Sequence, residues 1–281
     1  MIQIMKGKLI LEDNTTIEGE SFGANTPVAG EVVFSTGMTG YPESLTDPSY
    51  KGQILIMTYP LIGNYGIPDK KYWESPGIKV SGLIVSNYID TPSHFQSQQT
   101  LGQWLKEENI PALEISDTRF LTQKIRVKGT MLGKIIFKKD IKFYNPDNDN
   151  LVAQVSTKKI IKQGKGKKTV LLIDCGAKQN IERCLLKRGL TVITVPWDFD
   201  PFTSVIPNSF RDPQQLSKEM LKQVQHDIRL MDAIVISNGP GDPKKADKTI
   251  LNIRKVLQRR IPTLGVCLGN QILALAAGGD T

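Results

Sequence analysis

The sequence predicts an α/β protein of two domains, a β-rich α+β domain at residues 1–155 and an α/β domain at residues 169–281. Three observations lead to this expectation. A length of 281 residues suits about two domains. The first half carries short strand-like runs between turn residues, whereas the second alternates apolar strands with amphipathic helices. Between them, residues 156–168 are rich in lysine and are expected to form a basic linker.

The elements of the first domain are expected to be mainly strands. Residues 2–13 alternate polar and apolar side chains and end at an Asp-Asn turn, which is typical of a half-buried strand. Further strand-like runs lie at residues 31–34, 53–58 and 79–85. Helices are predicted at residues 99–109 and 117–128, and a polar turn at residues 144–150.

The second domain begins with the apolar strand at residues 169–174, and a second strand is predicted at residues 190–196. The apolar run that ends at Ser237 predicts a third strand. Apolar residues then recur at helical spacing over residues 248–259, before a last apolar run at 262–266. Strand, helix and strand in this order form a βαβ unit, whose right-handed crossover makes the two strands parallel.

A long connection at residues 201–231 interrupts this pattern. Within it, Leu216, Met220, Val224 and Ile228 recur at helical intervals, so we expect a surface helix. Insertions in surface loops cost little loop-closure entropy. We therefore assign this segment no function.

The pattern Gly265-Val-Cys267-Leu-Gly269 joins the last strand to a helix-forming segment. A strand, a sharp turn that carries the nucleophile and a helix make up a nucleophile elbow. The two glycines give the turn its conformational freedom and room for the neighbouring chain. At a helix N-terminus the helix dipole favours the thiolate form of a cysteine. The pattern thus predicts a reactive Cys267, although an ordinary buried cysteine is the alternative reading of this motif alone.

A second loop, Asn-Gly-Pro-Gly-Asp-Pro at residues 238–243, follows the preceding apolar strand. Gly239 and Gly241 leave backbone amides uncovered, and such amides stabilise an oxyanion. A plain turn would explain this loop taken alone. Because the two strands are expected to be parallel, however, both loops leave carboxyl ends, where open α/β sheets gather their ligands. The two motifs together favour a catalytic site.

These motifs resemble one known family. Residues 238–243 and 265–271 are similar to the triad-type, class I glutamine amidotransferases, so the second half is expected to be an incomplete doubly wound domain of that class. The first half resembles the small subunit of carbamoyl-phosphate synthetase in motifs at residues 30–34, 36–41, 45–50, 58–66 and 117–122. One motif of the second half, at residues 174–181, resembles the same subunit.

The resemblance implies hydrolysis of glutamine to feed ammonia to a large synthetase subunit. Cys267 would form a glutamyl thioester, and a histidine held by a glutamate would act as base and acid. The backbone amides of Gly239 and Leu268 would form the oxyanion hole. Substrate contacts would come from Ser49, Gly239, Gly241, Leu268 and Gln271. Lys178, in the turn after the first strand of this domain, is either near the site or a solvated helix-start lysine.

The sequence departs from this family in its triad. The family's histidine and glutamate lie well after the cysteine, but only fourteen residues follow Cys267 here, so we expect a C-terminally truncated domain that is inactive alone. His94 and His226 both precede Cys267 and match neither member. Asn270 stands where relatives usually have histidine, which affects local packing more than the chemistry. A natural fragment, a split gene and an incomplete sequence are all open.

Composition limits the remaining classes. Forty per cent of residues are hydrophobic, no apolar run has the ~20 residues of a membrane span, and no signal peptide is evident. Three cysteines suggest no disulfide scaffold, and a thiolate nucleophile requires a reducing compartment, which predicts the cytoplasm. The net charge of +8 comes without a nucleic-acid motif, so we expect no nucleic acid or membrane partner. No metal-ligand cluster is evident. The chain is expected to hold no cofactor, with ATP, magnesium and bicarbonate on the large subunit.

Three functions therefore stay open at this point. The first is the glutamine-hydrolysing subunit of carbamoyl-phosphate synthetase, a heterodimer with its large subunit, in arginine or pyrimidine synthesis. The second is the amidotransferase of another synthetase, against which the motifs of the first half argue. The third is an inactive fragment that only docks on the large subunit, which the missing triad members favour.

Overall fold

The computed structural model describes residues 5–203, 224 and 226–281, and these form two compact units, Met1–Asn148 and Asp149–Thr281. Both units combine strands with helices, so the predicted mixed α/β class is confirmed at that level. The boundary lies before the predicted end of the first domain at residue 155. None of the helices in the described residues is long and apolar enough to cross a membrane.

The first unit is built around a closed barrel with the strand order β1-β2-β6-β5-β4-β3-β7. Its strands are β1 Lys6–Leu11, β2 Thr16–Ser21, β3 Val28–Ser35, β4 Gln53–Met57, β5 Gly82–Val85, β6 Ala112–Glu114 and β7 Met131–Ile136. Its helices are α1 Tyr41–Thr46, α2 Leu101–Glu107 and α3 Thr118–Lys128. Strands β3 to β6 are parallel neighbours in the order β3-β4-β5-β6, while β1, β2 and β7 pair antiparallel.

The barrel has an apolar cluster on each face of its strands, as strand β4 shows. Ile54 and Ile56 pack in one cluster, which includes Leu121 of α3, whereas Leu55 packs in a second cluster with Trp104 of α2. Successive side chains of a strand point to opposite faces. A strand that is buried on both faces must therefore be apolar throughout, as the sequence Ile-Leu-Ile-Met of β4 is.

The two predicted helices of this unit are confirmed and carry clear N-terminal signals. Thr100 accepts a hydrogen bond from the backbone of Gln103, and the Gln103 side chain accepts from Thr100, which forms a capping box for α2. Asp117 caps α3 by accepting from the backbone N–H of Phe120 at 2.8 Å. These side chains fix the first residue of each helix.

The second unit has a five-stranded sheet with the order β12-β11-β9-β10-β8. Its strands are β8 Ile161–Gln163, β9 Thr169–Asp174, β10 Thr191–Pro196, β11 Ala233–Ile236 and β12 Thr263–Gly265. Its helices are α4 Leu151–Val155, α5 Gln179–Lys187, α6 Asp247–Gln258 and α7 Leu268–Ala276. All neighbouring strands are parallel except β8, which pairs antiparallel with β10.

The sheet of the second unit buries both of its faces. On one face, Val170 and Leu172 of β9 pack with Ile181 of α5. On the other, Leu171 shares a cluster with Ile253 of α6 and with α7. The alternation along β9 thus divides the sheet's apolar residues between two layers of helices.

Two predicted segments differ from what the structure describes. Residues 156–168, predicted as a linker, belong to the second unit, because Ile161–Gln163 pairs with β10 and forms an edge strand. All three of these side chains are exposed, so no apolar pattern revealed the strand. The helix predicted within residues 201–231 lies mostly outside the described residues. Val224 and Ile228 are described, and both side chains are buried in the core of the unit.

Candidate active site

The loops that follow β9, β11 and β12 lie at one edge of the second unit's sheet. These three strands are neighbours and parallel, so their carboxyl ends point the same way. Strand β10, which follows β9 in the chain, lies on one side of β9, and β11 lies on the other side. This edge is therefore a topological switch point. Open α/β sheets bind their ligands at such points.

Cys267 lies between β12 and α7 with a strained backbone. Its φ is 52° and its ψ is −112°, and its side chain is exposed. A non-glycine residue at positive φ costs roughly 1–3 kcal/mol, a cost that usually persists where function requires it. The hydrogen bond from the Asn270 N–H to the Cys267 carbonyl, at 2.8 Å, closes the turn directly after this residue. The predicted strand–turn–helix layout is therefore present.

The two glycines that flank Cys267 lie where any side chain would collide with backbone. A Cβ atom at Gly265 would lie 2.5 Å from the carbonyl oxygen of Gly269. A Cβ atom at Gly269 would lie 2.2 Å from the carbonyl oxygen of Ile236 in β11. The backbone of the elbow thus lies directly against the neighbouring strand at Gly269, and the shape of the turn depends on both glycines.

The strain at Cys267 leads to a stability prediction. Cys267→Gly is expected to keep or raise the free energy of unfolding of the second unit, by up to about 1 kcal/mol, because glycine adopts positive φ without strain. The matched control is Cys184→Gly within helix α5, which is expected to lower it by about 0.3 kcal/mol, the difference in helix propensity between cysteine and glycine. Amide hydrogen exchange of β9 and β11 measures both changes. Equal destabilisation by the two variants would contradict a strained Cys267.

Gly239 and Leu268 are neighbours where the loop after β11 meets the elbow. A Cβ atom at Gly239 would lie 2.8 Å from Cδ2 of Leu268, so the two residues are in contact. In the described part of the chain, neither of these N–H groups donates a hydrogen bond to a protein acceptor. A backbone amide without a protein acceptor is available to a developing negative charge.

A pair of buried polar residues that sequence reasoning missed holds the loops together. Ser237 Oγ accepts from the backbone N–H of Cys175 at 2.9 Å, and Asn238 Oδ1 accepts from the N–H of Lys178 at 3.0 Å. Both side chains are buried. They tie the loop after β11 to the loop after β9. The signal available in the sequence was a Ser-Asn pair directly after an apolar strand, where a buried polar side chain requires a partner.

The carboxylate of Asp174 organises the loop after β9. It accepts hydrogen bonds from the backbone N–H groups of Gly176 at 2.9 Å, Ala177 at 2.7 Å and Thr157 at 2.7 Å. Burial raises the pKa of Asp174, and these three donors oppose that shift. The loop is consequently held rigid against the residues that follow α4.

The three cysteines differ sharply in their surroundings. Cys175 is fully buried, and burial raises the pKa of its thiol far above the usual range. Cys184 is exposed in the middle of α5, away from the loops at the carboxyl edge. Cys267 alone combines exposure with a place at that edge. Geometry thus favours Cys267 as the nucleophile among the three.

The other predicted site residues are divided between the two units. Gln271 is exposed one helical turn after Cys267, and its N–H donates to the Cys267 carbonyl at 3.2 Å. Gly241 has a φ of 75° and lies against Leu151. Lys178 directly precedes α5, in the loop that Asn238 holds. Ser49 belongs to the first unit, where its N–H donates to Asp47 Oδ1 at 2.9 Å, and its role stays a prediction.

Within its own unit, neither histidine belongs to a segment that leads to the elbow. His226 lies on the segment that enters the amino end of β11, beside Asp227, whereas Cys267 follows the carboxyl end of β12. His94 is an exposed loop residue of the first unit, where its Nδ1 accepts from the N–H of Gln96. Among the described residues, no group of three or more His, Cys, Asp or Glu side chains is placed to hold a metal ion.

Comparison with known proteins assigns a family to each half of the chain. The profile described as "Carbamoyl-phosphate synthase small chain, CPSase domain" matches residues 9–135. The profile described as "Glutamine amidotransferase class-I" matches residues 171–281.

Similar curated proteins extend over nearly the whole chain. The arginine-specific small chain of carbamoyl phosphate synthase from Saccharomyces cerevisiae is 42% identical over 295 residues, which cover 98% of this chain and 66% of that protein. The mitochondrial carbamoyl-phosphate synthase (ammonia) of Homo sapiens is 45% identical over 293 residues, 100% of this chain and 18% of that protein. Multifunctional protein CAD of Squalus acanthias is 42% identical over 288 residues, 97% of this chain and 12% of that protein.

The chain therefore spans 12% to 66% of the length of these relatives. The two profiles match opposite halves of the chain, and the yeast relative aligns through both. By these matches, the chain belongs to the carbamoyl-phosphate synthase small-chain family and carries a class I glutamine amidotransferase domain in its second half.

Proposed function

We propose that the second unit hydrolyses glutamine with Cys267 as nucleophile and releases ammonia for carbamoyl-phosphate synthesis. One observation carries this proposal: Cys267 is held exposed at φ 52° on the elbow, directly before the free amide of Leu268, whose side chain adjoins Gly239. Strain at a single reactive side chain, combined with donors for a negative charge, is the arrangement that acyl transfer requires. Membership of the family makes glutamine the proposed acyl donor.

The proposed chemistry has two stages. The Cys267 sulfur attacks the carbon of the glutamine side-chain amide. The backbone N–H groups of Gly239 and Leu268 bind the resulting oxyanion, and each donor stabilises the transition state by about 3 kcal/mol. The carbon–nitrogen bond then breaks, the nitrogen takes a proton and leaves as ammonia, and a glutamyl thioester forms. Water attacks the thioester, which regenerates the thiol and yields glutamate.

The substrate contacts that we propose follow from the placement of the loops. Gln271 projects from the first turn of α7 next to Cys267, and Gly241 exposes backbone in the loop after β11. Ser49 is proposed as a third contact on the family resemblance alone. The doubly wound arrangement that we propose for this unit accords with helices on both faces of its sheet.

The proposed reaction needs a proton carrier, and the described residues of the second unit place no histidine beside the elbow. Both histidines precede Cys267 in the chain, and His226 enters the sheet at the opposite edge. Without a base and acid, attack and loss of ammonia are slow. We propose that the 281-residue chain by itself is nearly inactive. In the alternative proposal, it is a non-catalytic unit that only docks on its partner.

We propose the large synthetase subunit as the partner that uses the ammonia, in a cytoplasmic heterodimer. ATP, magnesium and bicarbonate would act on that subunit. The similar proteins include an arginine-specific small chain and the multifunctional protein ura1 of Schizosaccharomyces pombe. Both arginine and pyrimidine synthesis are therefore retained as destinations.

Active-site labelling tests the nucleophile. A chloroketone analogue of glutamine should alkylate the wild-type chain in a saturable manner, and excess glutamine should slow this reaction. Cys267→Ser is expected to abolish the labelling because the variant lacks the attacking sulfur. Cys175→Ser and Cys184→Ser, the matched controls, should retain it, since one thiol is buried and the other lies outside the loop cluster. Undiminished labelling of Cys267→Ser would refute the proposal.

A further inference from the structure

Helix α3 of the first unit presents an unusual set of side chains. Residues 1–148 contain thirteen lysines but two arginines, Arg119 and Arg126, and both arginines lie on α3. They are seven residues apart, which is two helical turns, so they share one face of the helix. Guanidinium groups bind carboxylates in a bidentate, planar geometry that lysine cannot reproduce.

Both arginines line one groove of about 360 Å³, together with four threonines and a glutamine. Thr36 directly follows β3 and Thr58 directly follows β4, so the parallel strands bring both residues to the same edge. Thr122 of α3 lies between the two arginines in the sequence. The described lining thus contains hydroxyl, amide and guanidinium groups and no carboxylate, a composition suited to an acceptor-rich anion.

The arginines differ from the lysines of the same helix in their pairing. Lys124 and Lys128 both contact Asp13, at 2.6 Å and 3.1 Å, so their charges are balanced within the unit. Within the described residues, Arg119 and Arg126 form no ion pair. The groove is therefore where α3 offers charge to a partner.

Apolar side chains adjoin this groove on the same helix. Phe120 is 44% exposed and Val127 is 86% exposed. Gln123 lines both the arginine groove and the shallow apolar depression that contains Phe120 and Val127. A free anion would gain nothing from the apolar part, whereas a polypeptide covers both. Aromatic and arginine residues are also the types that dominate binding energy at protein interfaces.

We infer that the surface formed by Arg119, Phe120, Gln123, Arg126 and Val127, the α3 surface, docks an acidic segment of the synthetase polypeptide through carboxylates bound by the two arginines. The inference rests on the proposed function for the identity of the partner. Its independent support is the groove itself, whose described lining offers two arginines without ion pairs, hydroxyl and amide groups and no carboxylate. In addition, the human relative contains the equivalent of this chain as 18% of its length, so other parts of that polypeptide are available as neighbours.

The test measures binding of the 281-residue chain to the purified synthetase polypeptide at two salt concentrations. R119A/R126A is expected to raise Kd at least about tenfold and to flatten its salt dependence. R119K/R126K should recover part of the affinity, because charge remains while bidentate geometry is lost. The matched control is R254A, an exposed arginine on α6, which should change Kd less than twofold.

Chloroketone labelling of Cys267, run on the same samples, shows whether the proposed function holds. Failed labelling with arginine-dependent binding would overturn the glutaminase proposal and leave the docking inference intact. Three results would overturn the inference: Kd unchanged within twofold in R119A/R126A, no binding of the wild-type chain to the synthetase, or binding of inorganic phosphate in the groove without any effect of the variants on the synthetase complex.

Discussion

The isolated 281-residue chain is expected to hydrolyse glutamine at least about 10³-fold more slowly than the complete arginine-specific small chain of S. cerevisiae, its 42% identical relative. General acid–base catalysis contributes about 10²–10⁴-fold, and His226, the histidine of the second unit, lies on the segment that leads to the amino end of β11, away from Cys267. A thiolate can attack the amide, but the nitrogen leaves only after it is protonated, because it then departs as ammonia and not as the strongly basic amide anion. Release of glutamate, followed with a coupled dehydrogenase, measures both rates.

Chemical rescue provides the control for this expectation. Added imidazole should raise the slow rate of the isolated chain because it supplies a base, and it should not do so for Cys267→Ser. A rate of the unaided chain within tenfold of the yeast protein would contradict the account. Equal rescue of Cys267→Ser would show that the chemistry bypasses the elbow.

Gly269→Ala is expected to lower the free energy of unfolding of the second unit by about 2–3 kcal/mol. In an ordinary helix position, alanine is more favourable than glycine by about 1 kcal/mol. Here the added Cβ would lie 2.2 Å from the carbonyl oxygen of Ile236 and 2.7 Å from that of Ser237, both of them backbone atoms that cannot rotate away. The expected sign is therefore the reverse of the intrinsic preference. Hydrogen exchange of β11 reports the change.

Gly279→Ala is the matched control for this variant. The nearest atom to a Cβ at Gly279 is 3.2 Å away, and the residue follows the end of α7, so a change of within about 0.5 kcal/mol is expected. Gly269→Ala should also slow labelling of Cys267, because the turn must open to admit the methyl group. A stable, fully reactive Gly269→Ala variant would mean that the elbow does not pack on β11 as described.

The elbow was predictable because it is encoded locally. Strand, turn and helix occupy consecutive residues, and Gly265, Cys267 and Gly269 carry the signal within five positions. The parallel arrangement of β11 and β12 also followed from the short crossover through α6. In each case, neighbouring residues impose the geometry, so sequence spacing sufficed.

Barrel closure in the first unit was not predicted, because it depends on distant pairings. Strand β1 pairs with β7, more than 120 positions later in the chain, and β2 pairs with β6. The edge strand β8 was missed for another reason, since its exposed side chains have no apolar periodicity. The roles of Ser237 and Asn238 became visible only once folding placed the loops after β9 and β11 together.

Peptide mapping of the chloroketone adduct tests the central claim most directly. Trypsin cleavage after Arg260 releases residues 261–281, a peptide without lysine or arginine whose single cysteine is Cys267. If Cys267 is the nucleophile, the wild-type adduct resides on this peptide, at a stoichiometry of one per chain, and excess glutamine prevents its formation. An adduct located on the Cys184 peptide, or one formed at the same rate with glutamine present, would contradict this assignment.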